Sequence, residues 1–251
     1  MSCEWTIVYH GGGEFKGRGE FLRLMFEDKG VPYEYSDANM YGPEGTMCCF
    51  RGSAEKIREV DNTVFPVFYP PVIHHKPQDG GGEEVMINQV AACMQYIGNA
   101  LGYAPSSPAE KARADCILLN ACDYVSEGRS SFHPVNNLAS YKDQVKEGDK
   151  VSKEWSKTRM QLWLTFFDKI CTKTTSLAIA GGADLTYADF ALFHALDATV
   201  AQFENEKYEN AWTHTDVPAL KTYYEQIKSR PNLHAYLTSD RCAKFMGDSM
   251  M

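Results

Sequence analysis

No apolar run in this sequence of 251 residues reaches the roughly 18 residues that a membrane-spanning helix needs. Basic residues are in deficit, 25 Lys and Arg against 33 Asp and Glu, for a net charge of −8. That balance argues against nucleic acid and anionic membrane as main partners, because both reward a basic face. The opening MSCEWTIVYH has neither a basic n-region nor a long apolar h-region, so no secretory signal is expected. The eight cysteines form no CxxC pair and no Cys/His metal spacing. Reduced thiols in a cytoplasmic protein without a metal are therefore expected, including the adjacent Cys48 and Cys49. Phosphate-loop chemistry is missing as well. In GGGEFKGRG the glycines Gly12 and Gly17 have the spacing of a Walker loop, but Arg18 and Gly19 follow. The lysine for phosphate and the hydroxyl for magnesium are both absent.

What is present is a core-forming composition, 44% hydrophobic and 23% charged, in two stretches of different texture. WTIVYH is a β-rich run, and GEFLRLMFEDKG is a helix with Phe21, Leu22, Met25 and Phe26 on one face, ended by Gly30. VPYEYSD reads as a second strand, PVIHH and EEVMIN as a strand pair around KPQDGGG, and NQVAACMQYIGNALG as a helix. After the linker GYAPSSPAE only helical runs follow: AEKARADCILLNACDYVSEG, KEWSKTRMQLWLTFFDKIC, YADFALFHALDATVAQF and ALKTYYEQIKS. His74 and His75 alternate across a strand and cannot share a metal. His133 in FHPV is read as a loop cap.

This order, with GRGEFLRLMFEDKGVPYEY, FYPPVIHH, LTYADFALFHAL and VPALKTYYEQIKSRPNLHAYLTSDR in sequence, resembles the Tyr-type cytosolic glutathione transferases. HPVNNLASYKDQ is similar to a segment between two of their later helices. The resemblance covers almost the whole chain. It implies an α/β thioredoxin-like N-terminal domain with a mixed βαβ-ββα sheet over residues 1–100, then an all-α helical-bundle domain over 109–251 that contributes the electrophile pocket. It implies a homodimer that uses glutathione as co-substrate and acts on hydrophobic electrophiles by conjugation, with peroxidase or isomerase activity as variants. A non-catalytic ligand-binding or structural relative is the alternative. In LTYADFALFHAL, Thr186 and Asp189 have the spacing of a capping box.

The family needs a donor to the glutathione sulfur at the end of the first strand or the start of the helix. In VYHGGGEFKGRGE no Ser or Cys stands there, and Tyr9 closes the strand. Arg18 is the candidate for the positive field, with a salt bridge as its ordinary alternative. Phe15, in a loop a few residues longer than in related sequences, is expected to line the electrophile pocket. The family's cis-proline maps best onto Pro71, which puts Pro70 against the cysteinyl amide and Tyr69 beside the cleft; Phe65-Pro66 is the competing register. Gln89 matches the residue that holds the γ-glutamyl group, while Val90 replaces the hydroxyl expected after it.

Overall fold

The structure is a computed structural model that describes residues 3–38, 54–59, 65–78, 81–174, 178–246 and 249–250. Cys48 and Cys49 lie outside the described residues.

Trp5–Tyr9 forms β1, with all five residues buried. Glu34–Asp37 is β2, Val72–His75 is β3 and Val85–Asn88 is β4. They make one four-stranded sheet in the order β2-β1-β3-β4. β1 pairs parallel with β2 and antiparallel with β3, and β3 pairs antiparallel with β4. Alternation along the strands divides the burial. Ile7 and Ile73 enter the main core, whereas Val8 and Val72 join Ala38 and Val67 in a separate cluster.

Helix α1 (Glu20–Lys29) follows β1, and Gly30 ends it in the left-handed conformation. A short α2 (Ala54–Glu59) precedes β3, and α3 (Val90–Leu101) follows β4. Phe21, Leu22, Met25 and Phe26 of α1 are buried with Cys93, Met94 and Ile97 of α3 in the main core.

Within GYAPSSPAE a long helix begins. Ser107 caps α4 (Pro108–Phe132), and Pro108 takes a first-turn position where its missing N–H costs nothing. The run KEWSKTRMQLWLTFFDKIC, read from sequence as one helix, is two: α5 (Val145–Lys157) and α6 (Arg159–Cys171). They break at Thr158, at φ −123° and ψ −84°, whose hydroxyl donates back to the Glu154 carbonyl at 2.8 Å. Thr165 and Thr199 bond back in the same way inside unbroken helices, so it is the backbone at Thr158 that marks the break. The break brings Trp155 and Trp163 to one acceptor. Glu127 of α4 receives both indole N–H groups at 2.9 Å and the Arg159 guanidinium at 2.8 and 3.0 Å.

Those bonds, that of Arg159 first, hold the Glu127 carboxyl down at about 2. A carboxylate depressed on folding adds stability above its unfolded pKa and loses it as pH falls towards its folded value. Glu127→Gln is therefore expected to cost about 1 kcal/mol at pH 7, a half-exposed cluster discounted for solvent. In urea melts the gap should close as pH falls below about 4. An equal gap at pH 7 and at low pH would show that charge plays no part.

Helix α7 (Tyr187–Phe203) runs through the middle of the helical half, buried on nearly every side, as expected of a core helix rather than an amphipathic surface one. Next come α8 (Ala211–His214), α9 (Pro218–Lys228) and α10 (Pro231–Leu237). No regular strand forms after Ala109 among the described residues; the one bridge pairs Lys244 with Phe15.

Charged pairs hold α1 to the helical half. Arg230 clamps Asp28 with two contacts of 2.7 Å, and Arg241 clamps Glu27 at 2.7 and 2.9 Å. Lys16 meets Asp197 of α7 at 2.7 Å. After α10 the chain crosses to the loop before α1, where the Lys16 N–H donates to the Lys244 carbonyl at 3.0 Å. Phe245 stacks there on His194, whose fully buried ring is pushed down to about 3 and stays neutral.

Candidate active site

The sheet register brings distant residues to one end of the sheet. Val8 faces Val72, and Val72 faces Asn88. Because these strands alternate in direction, the next residue outward is Tyr9 at the end of β1, Pro71 before β3 and Gln89 after β4. Asp37, at the end of the parallel β2, pairs with Tyr9. Residues that are far apart in sequence thus line one edge.

Tyr9 is 3% exposed. The chain leaves β1 through His10–Gly13, where Gly11, Gly12 and Gly13 take φ of 65°, 55° and 97°. This left-handed run is open to glycine and strained for other residues. It absorbs the extra length of the loop, so the chain still returns to Tyr9. There the Arg18 N–H donates to the Tyr9 hydroxyl at 3.0 Å. The return is close: a Cβ on Gly17 would lie 2.7 Å from that hydroxyl and 2.5 Å from the ring. The Gly17 of the Walker-like spacing is here a packing requirement, not part of a phosphate cradle.

Burial raises the pKa of the Tyr9 hydroxyl, partly offset by the Arg18 N–H and by the charges of Arg18 and Arg129. The phenol therefore keeps its proton at neutral pH. Its oxygen accepts from Arg18, which leaves the proton free to be donated. The Arg18 side chain crosses to the helical half, where its guanidinium donates to Ser126 Oγ of α4 at 2.7 Å. Phe15 is half-buried, its ring centroid 6.0 Å from that of Tyr9.

The Pro70–Pro71 bond is cis, and both residues are buried at the mouth of β3. The Phe65-Pro66 register is not the cis one. Tyr69 precedes this bond, half-buried, with its ring edge-on to Phe68. Gln89 is exposed and caps α3 with φ 73° and ψ 118°. A non-glycine residue held there costs on the order of 1–3 kcal/mol, and such strain gathers at ligand sites. Val90 is 6% exposed, with its side chain in the main core, so what it can offer the sheet end is its backbone N–H.

The histidines have other work. His75 stacks on Trp5 at 3.6 Å and pairs with Tyr96 at 2.7 Å. His74 pairs with Glu84, and His133 with the Ala139 carbonyl at 3.0 Å. No group of three metal-ligating side chains occurs among the described residues. A groove lined by Arg23, Tyr33, Tyr35 and Arg241 contains none of the residues at the sheet end. Sequence reasoning missed Ser126 and Arg129, for which no local pattern exists: Ser126 is 108 positions from Arg18.

A mixed sheet with Tyr9 at a strand end, a cis-proline before the third strand and a following helical bundle make up a fold that this chain shares with solved glutathione S-transferases. Residues 129–240 match the family model described as Glutathione S-transferase, C-terminal domain. The chain is similar to Glutathione S-transferase 1 of Ascaris suum, 25% identical over 231 residues, covering 89% of this chain and 92% of the relative. It is also similar to Glutathione S-transferase P 1 of Xenopus laevis, 24% identical over 226 residues, covering 90% and 89%. Among solved structures, the glutathione S-transferase of Ascaris lumbricoides shares the fold with a TM-score of 0.58 at 20% identity, covering 93% of this chain and 96% of that one. The Pi-class enzyme of Onchocerca volvulus does so with a TM-score of 0.61 at 17% identity, covering 93% and 91%. The chain is thus similar to glutathione S-transferases along most of its length, with the family-model match confined to residues 129–240.

Proposed function

We propose that this chain is a glutathione transferase that holds glutathione as its thiolate and directs the sulfur at hydrophobic electrophiles. One observation carries this reading: the Tyr9 oxygen accepts from the Arg18 N–H at 3.0 Å, while its own proton remains available. A thiol with an ordinary pKa near 8.5 is mostly protonated at neutral pH. A donor aimed at the sulfur favours the charged form and lowers that pKa, and the Arg18 guanidinium adds a positive field. The thiol proton passes to solvent. The thiolate then forms a bond to the electrophilic carbon, and the leaving group departs with its electron pair.

The tripeptide is held at both ends. The Pro70 carbonyl accepts the cysteinyl amide N–H, since Pro70 itself has no N–H to give. Gln89 and the first-turn N–H groups of α3, including that of Val90, receive the γ-glutamyl carboxylate. The hydroxyl missing at Val90 removes a bond to a charged group worth about 1.5–3 kcal/mol, so glutathione affinity is expected to be lower than with Ser there. Tyr69 borders the cleft and Phe15 lines the pocket for the electrophile. The working form is a cytoplasmic homodimer, with conjugation the main reaction and peroxidase or isomerase chemistry as variants on the same thiolate.

A titration of the wild-type protein with glutathione tests the proposal. Ultraviolet thiolate absorbance should appear at neutral pH, and an aryl halide should be conjugated with saturation in both substrates. Binding of glutathione without thiolate and without turnover would mark the chain as a non-catalytic relative.

A further inference from the structure

We propose that Asp197 of α7 is a positioning residue: through its buried ion pair with Lys16 it places the return leg of the loop, Phe15 to Arg18, against Tyr9. The inference deepens the reading of Tyr9 as donor to the glutathione sulfur and rests on it. The loop that leaves β1 contains three consecutive glycines at left-handed φ, and glycine backbones lose the most freedom on folding. Its return leg is nevertheless placed closely. Gly17 has no room for a Cβ beside the Tyr9 ring, and the Arg18 N–H reaches the Tyr9 hydroxyl at 3.0 Å. Lys16 stands between these residues and Phe15, anchored from both main chain and side chain. Its N–H donates to the Lys244 carbonyl at 3.0 Å. Its ammonium donates to Asp197, 181 positions away, at 2.7 Å and lies 5.0 Å from the centre of the Phe245 ring. The two side chains are 7% and 17% exposed, so solvent screens the pair weakly.

Asp197 is itself held. Its second oxygen accepts from the Tyr224 hydroxyl of α9 at 2.9 Å, and Tyr224 stacks on Phe193 of α7 with centroids 5.4 Å apart. A lysine is a point charge on a flexible stem, so the direction of this pair is set by the acceptor, which stands on a helix buried on nearly every side. Burial opposes the charge on Lys16, but Asp197 and Glu20 outweigh it and raise its pKa. The charges that act on the Tyr9 hydroxyl are those of Arg18 and Arg129. The pair therefore reaches that hydroxyl through where it puts the loop, not through its own field.

The test measures Asp197→Asn, Lys16→Met and the double variant. The double variant leaves no unpaired buried charge, so the proposal stays testable if a single variant fails to fold. The readouts are the thiolate absorbance of bound glutathione against pH, the KM for glutathione and the KM for an aryl halide. Each variant should raise the apparent thiol pKa by about 0.5, roughly a threefold loss of thiolate below it. The KM for the aryl halide should rise with it, while the KM for glutathione, held at Pro70 and Gln89, should stay near the wild-type value. The double variant should match the single ones, because residues that act as a unit are not additive. If the variants melt earlier but keep the wild-type pH profile and aryl halide KM, the pair only fastens the two halves together and the proposal fails. It fails also if Asp197→Asn lowers the thiol pKa while Lys16→Met raises it, since the pair would then act by charge. Wild-type protein that binds glutathione without thiolate would remove the reading of Tyr9, and this proposal with it.

Discussion

Tyr9→Phe is expected to lower turnover by about 10²-fold, the usual loss when one preorganised donor to a developing or stabilised anion is removed. The apparent pKa of bound glutathione should rise in the same variant, and the ultraviolet thiolate band should disappear at neutral pH. The fold should survive. Phenylalanine fills the volume that Gly17 and Gly19 pack against, 2.5 and 3.1 Å from the tyrosine ring for a notional Cβ, and it adds no atom to that contact. What it strands is the Arg18 N–H, which donates to the lost hydroxyl at 3.0 Å. A buried donor left unmade costs about 1–3 kcal/mol, and the loop's partial exposure at Arg18 puts the expected stability loss at the low end. Stopped-time conjugation assays and urea melts on the same preparation separate the two effects. Wild-type turnover with the melt shifted would take Tyr9 out of the mechanism and leave it a structural residue.

Asp189→Ala is expected to destabilise the helical half strongly. A capping box alone predicts about 1 kcal/mol for loss of the cap. The structure raises that figure. The Asp189 carboxylate receives the Thr186 N–H at 2.7 Å, closing the box, and also the Ile179 N–H at 2.8 Å from the loop before α7. The Tyr223 hydroxyl of α9 reaches it at 3.0 Å. The residue is fully buried, and burial pushes its carboxyl up to about 6 against the pull of these donors. It is thus ionised at pH 7 and depends on them. The tyrosine can turn to the Asp189 backbone carbonyl, already 3.3 Å away. The two backbone N–H groups cannot move, so about 3–5 kcal/mol should be lost. Against a typical total of about 5–15 kcal/mol that is a large share. A urea midpoint within error of wild type would refute the assignment. Lost activity at full stability would make Asp189 functional rather than structural.

Patterns that repeat over a few residues were enough to place β1, α1, α7 and the hairpin of β3 and β4, because strand and helix periodicity are local properties. The same local reading located Tyr9 at a strand end and the Thr186 and Asp189 cap, whose spacing is the geometry of one helical turn. It joined α5 to α6 because a helical pattern does not show that the backbone leaves the helix at Thr158. It left two prolyl bonds open, since Phe65-Pro66 and Pro70-Pro71 both lie ahead of the same strand. The cis bond is the one at Pro70-Pro71, directly ahead of Val72, which pairs with Val8 in the sheet. The pairing of Arg18 with Ser126 was out of reach altogether. Its partners are 108 positions apart, and only the packing of α4 against the sheet half brings a hydroxyl to that guanidinium. Local periodicity determined the elements and the residues at their ends; the meeting of those ends was decided by long-range packing, which no short stretch of sequence encodes.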